Sequence, residues 1–210
     1  MSNSNILSLR NISKTFISPD GKKDTVLKSI SLDIIPGHIT GILGESGSGK
    51  STLFSIMGGI DKPDDVHNAN DGVWFKGRRI NFNDTDSIKL LRVHIGMIFQ
   101  TYALVPSLNA RDNIVVKLAY RGISMKAGSK YAEELLEFVG LNDRINYKPH
   151  QLSGGQQQRV GIARAIAGNP DIILADEPTG NLDKKNTKQI MELLKGIAKN
   201  GISIVLVTHE

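Results

Sequence analysis

The chain has 210 residues, no cysteine, and 26 Lys plus Arg against 21 Asp plus Glu, a formal charge of +5. That length suits one domain burying ~70% of its unfolded surface, and the absence of thiols excludes a disulfide scaffold and any metal site built on thiolates. Aromatic residues at 5% argue against a base-stacking platform, and the basic residues cluster only in pairs such as Arg78-Arg79, so no nucleic-acid partner is expected.

The opening Met1, Ser2, Asn3, Ser4, Asn5 is polar and lacks a secretory-signal pattern. Residues 6–16 mix β-branched and polar side chains and predict a strand; 18–22 predict a turn and 26–35 a second strand, closed by Pro36-Gly37. Residues 38–43 form a short apolar run, expected to be a buried parallel strand. A glycine-rich loop then leads into a helix carrying Leu53, Ile56 and Met57 on one face. Residues 61–72 read as a polar surface loop, 73–80 as one strand, and 95–99 as a strand ending at Gln100. The longest uncharged run, 93–110, contains His94, Gln100, Pro106 and Asn109 and is no membrane span.

From about 106 to 167 the periodicity is helical, with Gly140 stopping one helix and Gly168-Asn169-Pro170 another. Residues 172–175 predict a buried strand ending in Asp176-Glu177. A helix after Asp183 shows Ile190, Leu193, Leu194 and Ile197 on one face, and 203–208 predict a last strand with His209 at its end. Buried strands alternating with helices imply an α/β core with parallel strands. Polar groups follow the strands ending at Leu43, Phe99, Ala175 and Thr208, where open α/β sheets bind ligands. His38, His67, His94 and His150 lack metal-ligand spacing and read as structural.

Gly44, Glu45, Ser46, Gly47, Ser48, Gly49, Lys50 and Ser51 match G-x-x-x-x-G-K-[ST], a phosphate loop. Its glycines let backbone amides turn inward on phosphate oxygens, Lys50 would bridge the β- and γ-phosphates, and the Ser51 hydroxyl would ligate Mg²⁺. Asp176, closing an apolar strand, suits the Mg²⁺ shell, and Glu177 could take a proton from an attacking water. Leu152, Ser153, Gly154, Gly155 and Gln156 carry capping-box spacing, and a Ser-Gly-Gly helix start is also an anion site.

On these motifs the sequence resembles the nucleotide-binding subunit of an ATP-binding cassette (ABC) transporter, over nearly its whole length. Residues 44–51 match the Walker A motif, 172–176 Walker B and 152–156 the signature motif. The resemblance implies a catalytic glutamate at Glu177, a Q-loop at Gln100 that also reaches the metal, a switch histidine at His209 and a D-loop at Asp183. It implies an adenine-stacking aromatic at Phe16, otherwise a core residue, and extends the nucleotide contacts to Thr52. Gly58-Gly59-Ile60-Asp61, residues 104–108 and 175–183 resemble the lipoprotein-release and macrolide-efflux subgroup.

The implied fold is a phosphate-loop NTPase (RecA-like) core with a mainly parallel sheet, an N-terminal antiparallel β portion and an α-helical insertion. One cassette domain would span 1–210, with a core over about 1–86 and 162–210 and a helical subdomain over about 87–161. The implied activity is ATP hydrolysis with ATP and Mg²⁺, in a homodimer closed by ATP, with residues 152–156 of one chain capping the phosphate of the other. The implied partner is an integral membrane permease, placing the subunit peripherally on the cytoplasmic face of the inner membrane. Tyr102, Leu104, Val105 and Leu108 would face that permease, and the resemblance implies further chain beyond Glu210. Three other readings compete: an ATPase that gates an extracytoplasmic partner without transport, a soluble cassette on DNA or ribosomes, and a small-molecule kinase. The signature motif disfavours the kinase.

Overall fold

The computed structural model describes residues 5–65 and 68–209; the readings at Met1 to Ser4 and at His67 lie outside them. Strands β1 (Leu7–Ile17) and β2 (Lys23–Ile34) form an antiparallel hairpin across the turn expected at 18–22. β1 also pairs with β4 (Gly72–Phe75), which pairs with β5 (Arg78–Arg79), giving the sheet order β2-β1-β4-β5. The single strand expected over 73–80 is therefore a hairpin. Lys76 (φ 48°) and Gly77 (φ 76°) both take positive φ, the turn chemistry that reverses a strand in two residues.

The second sheet is wholly parallel. Its order is β3 (Ile39–Leu43), β8 (Ser203–Thr208), β7 (Ile172–Asp176), β6 (Ile95–Ile98). β7 is buried on both faces and shows the period of two that this requires. Its Ile172 and Leu174 join a core beneath the antiparallel sheet, and Ile173 and Ala175 join a core beneath the helices. β3 departs from expectation. It pairs only with β8 among the described residues, and Leu43 is 71% exposed. A five-residue apolar run does not encode whether its strand lies at the centre or the edge of a sheet.

Helix α1 (Lys50–Met57) buries Leu53, Ile56 and Met57 against the first core, as their spacing predicts. α2 (Thr85–His94) follows, capped by the Asp84 carboxylate. α3 (Ala110–Tyr120), α4 (Met125–Phe138), a 3₁₀ turn over Pro149–Gln151 and α5 (Gly154–Ile166) carry the helical layer; α6 (Lys184–Lys199) packs beside α5. The helical range expected from 87 starts too early. α2 buries Leu91 in the first core and β6 is a strand of the parallel sheet, so both side with the core. His94 joins the two sheets: its Nδ1 lies 2.5 Å from Asp171 Oδ2, whose other oxygen binds Lys76 at 2.7 Å. Its structural reading fits that role.

Candidate functional site

The parallel sheet delivers the ends of β3, β6, β7 and β8 to one rim. There Ser46, Gly47, Gly49, Lys50, Ser51, Thr52, Gln100, Asp176, Glu177 and His209 line a single cleft of about 650 Å³. Val26 of β2 is the one lining residue that sequence reasoning missed. It reaches the cleft because β2 packs directly under the loop. Gly49 has φ +91°, and a Cβ there would stand 3.0 Å from both Val26 Cγ1 and Val26 O. Only glycine satisfies both conditions.

The loop closes on itself through Ser48 N–H donating to Glu45 O at 3.2 Å. Lys50 Nζ donates to Gly44 O and Glu45 O, each at 2.7 Å, which folds the ammonium over the loop's mouth. Helix α1 starts at Gly49 with no side-chain cap and no acidic residue in its first turn. The starts of α2, α3, α4, α5 and α6 are instead capped by Asp84, Asn109, Ser124, Ser153 and Asp183. Uncapped N-terminal amides next to a lysine form an anion site, suited to phosphate.

Opposite the loop, Asp176 is hydrogen-bonded by the Ser51 side chain. Burial, and then the neighbouring Glu177 charge, push the Asp176 carboxyl above its ordinary value; Lys50 and the Ser51 bond oppose this only in part. A half-buried carboxylate short of positive charge, beside a hydroxyl and the Gln100 amide, is a donor set of hard oxygens. It fits a Mg²⁺ that keeps water and phosphate oxygens in its shell. Glu177 takes φ 41°, a left-handed conformation that costs a non-glycine residue ~1–3 kcal/mol and clusters at functional sites. Its N–H is fixed to Val207 O at 2.8 Å, and its Oε1 lies 2.7 Å from His209 Nδ1. An ionised carboxylate only accepts, so Nδ1 carries the hydrogen of this bond.

The remaining candidates lie apart from this cleft. Phe16, opposite Asp24 in the β1–β2 hairpin, is 45% exposed with the Lys14 ammonium 5.1 Å from its ring centre. Leu152, Ser153, Gly154, Gly155 and Gln156 open α5. Their capping box is formed: Gln156 N–H donates to Ser153 Oγ at 3.4 Å and Ser153 N–H to Gln156 Oε1 at 2.9 Å. Asp183 caps α6, accepting from Asn186 N and Nδ2 at 2.8 Å each, and these bonds hold its carboxyl below the usual range. The two starts touch, since a Cβ on Gly155 would collide with Asn186.

A second, apolar-floored groove of about 370 Å³ lies behind Gln100. Ile60, Met97 and Phe99 line it, with Arg92, Lys117 and Arg164 among its cations. Burial, then the charges of Arg121 and Arg164, lower the Lys117 ammonium pKa. Of the four residues expected on a partner surface, none lines this groove: Leu104 packs on the helical core and Val105 is exposed. Ile60 and Tyr120, half exposed, come from just past α1 and from α3; Ile60 belongs to the 58–61 run that carries the subgroup resemblance, and no local pattern marked Tyr120.

Comparison with known proteins bears on these features. A family profile described as ABC transporter matches residues 27–180. The macrolide export ATP-binding/permease protein MacB of Wolinella succinogenes is 42% identical over 206 residues, 98% of this chain and 31% of that protein. The chain thus spans less than a third of the length of such relatives. The lipoprotein-releasing system ATP-binding protein LolD of Aquifex aeolicus is 43% identical over 186 residues, covering 88% of this chain and 81% of that one. Among solved structures, a dimeric ATP-binding cassette in a post-hydrolysis state, bound to ADP and Pi, superposes with TM-score 0.86 at 40% identity. That match covers 97% of this chain and 88% of that chain.

Proposed function

The chain belongs to the ABC transporter family of ATP-hydrolysing cassettes, and on that premise we propose that it powers a membrane permease through an ATP-closed homodimer. The observation that carries the reading is the single cleft in which Lys50, Ser51, Gln100, Asp176, Glu177 and His209 converge from separate strand ends. The phosphate loop and α1 amides bind the triphosphate, and Phe16 and Val26 lie on the hairpin that flanks the base side. Lys50 exchanges its carbonyl partners for β- and γ-phosphate oxygens. Ser51, Asp176 and Gln100 would hold Mg²⁺, which supplies positive charge to the phosphates when bound.

Glu177 acts as the general base toward water at the γ-phosphate. His209 fixes the orientation of that carboxylate through Nδ1, leaving Nε2 outside the bond. Residues 152–156, away from the cleft of their own chain, meet the γ-phosphate of a second copy, and Asp183 stands beside them. Helices α3 to α5 form the helical subdomain on the core. The groove at Ile60, Arg92 and Tyr120 faces the permease, and attachment to the membrane is peripheral. No helix among the described residues is long and apolar enough to cross a membrane.

The test is assembly. Glu177→Gln protein, with and without Mg-ATP or Mg-ADP, is sized by light scattering after gel filtration. A dimer formed with ATP alone is expected, because only the γ-phosphate spans the interface. A monomer at saturating Mg-ATP overturns the closed-dimer reading.

A further inference from the structure

We infer that Arg164, in the last turn of α5, is a positioning residue for Gln100, tying the loop that begins at the nucleotide cleft to the helix that opens with Ser153. The inference rests on the proposed place of Gln100 at the γ-phosphate end of that cleft.

After β6 the chain makes a tight reversal. Tyr102 N–H donates to Phe99 O at 3.1 Å and Ala103 N–H to Thr101 O at 2.7 Å, closing a three-residue turn on Tyr102. Tyr102 (φ 63°) and Ala103 (φ 47°) both sit in the left-handed region. Neither is glycine, asparagine or aspartate, the residues that hold this conformation by themselves. Something distant must hold the turn. Arg164 Nη2 donates to Tyr102 O at 2.9 Å and Nη1 to Ala103 O at 2.5 Å, from 62 and 61 residues away. Asn181 Nδ2 pins Gln100 O at 3.1 Å.

The electrostatics of Arg164 point the same way. Burial alone lowers its guanidinium pKa, with no carboxylate among the described residues to offset it. Its planar fork of donors is matched to two adjacent carbonyls, a geometry that a lysine ammonium cannot reproduce. The loop touches α5 a second time at its first turn, where a Cβ on Gly154 would stand 2.7 Å from the Tyr102 hydroxyl. One loop is thus fixed near both ends of one rigid helix. A shift of α5 on closure carries Gln100 with it, and a shift of Gln100 toward nucleotide pulls on the first turn of α5.

Arg164→Ala, Arg164→Lys, Gln100→Ala and the Arg164→Ala/Gln100→Ala double variant are compared with the parent. Three quantities are read: Mg-ATP turnover, ATP affinity, and amide hydrogen exchange in nucleotide-free protein. Arg164→Ala is expected to slow turnover ~10–100-fold, the scale of a misplaced group, with ATP affinity held within about threefold. Exchange at Tyr102 and Ala103 rises ~10-fold or more while β7 stays protected. Arg164→Lys lies between Ala and parent, and carries the comparison if the Ala variant does not fold. In the Gln100→Ala background the Arg164 effect shrinks below ~2-fold. Fully additive losses, or unchanged exchange in the loop, overturn the inference. If Gln100→Ala turns over like the parent, the placement of Gln100 falls and the inference with it. If Gln100→Ala is slow and Arg164→Ala is fast, the inference falls alone.

Discussion

Gly155→Ala isolates the contact between the start of α5 and the cap of α6. A Cβ at position 155 meets the Asn186 side chain, with Cγ at 2.7 Å and Cβ at 3.3 Å. Asn186 cannot retreat freely, because its backbone and side-chain nitrogens are both committed to Asp183. Overpacking of this kind costs about 1–3 kcal/mol, and a weakened N-cap adds ~1 kcal/mol. Replacing a helical glycine by alanine returns ~1 kcal/mol. The net loss is about 1–3 kcal/mol, a fall in Tm of ~3–10 °C for a chain of this size. Gly196→Ala in α6 is the matched control. A Cβ there meets nothing within 4 Å, so only the propensity gain remains and Tm should rise by ~1–4 °C. Thermal unfolding followed by circular dichroism reads both. A Gly155→Ala protein as stable as the parent, with Gly196→Ala stabilised as expected, would refute the packing of the two helix starts.

Glu177→Gln keeps the shape of the side chain and removes the base. ATP affinity should persist while turnover falls ~10²–10⁴-fold; parental turnover would assign the base elsewhere. Lys50→Ala should instead weaken nucleotide binding itself, and wild-type affinity by titration calorimetry would undo the phosphate-loop assignment. Phe16→Ala should lose ~1–3 kcal/mol of affinity for ATP and GTP alike, since stacking reads the ring face; an unchanged Kd would remove it from the site. Asp176 titrates above its ordinary value in the fold, so its stabilising contribution is greatest at low pH and is lost as pH rises through the folded pKa. Asp176→Asn should therefore raise the Tm of nucleotide-free protein at about pH 7, by a margin that narrows on acidification. A margin that widens as pH falls would contradict the desolvation argument.

Local chemistry was legible in the sequence wherever a feature depends on neighbours along the chain. The phosphate loop, the Ser153–Gln156 capping box, the helix after Asp183 and the burial of β7 all follow from residues within a few positions of one another. Errors began where the same local pattern serves two structures. The 73–80 run is a hairpin because Lys76-Gly77 turns back, and β3 is an edge strand because it pairs on one side only among the described residues. What the tertiary structure alone decided are the pairings between distant segments. His209 meets Glu177 across 32 residues, Val26 comes under Gly49, and Arg164 holds carbonyls 61 and 62 residues away. Backbone stiffness and side-chain capping act over one or two turns, so the sequence by itself specifies them. Contacts at such separations exist only once burial of the shared cores has brought the strands and helices together.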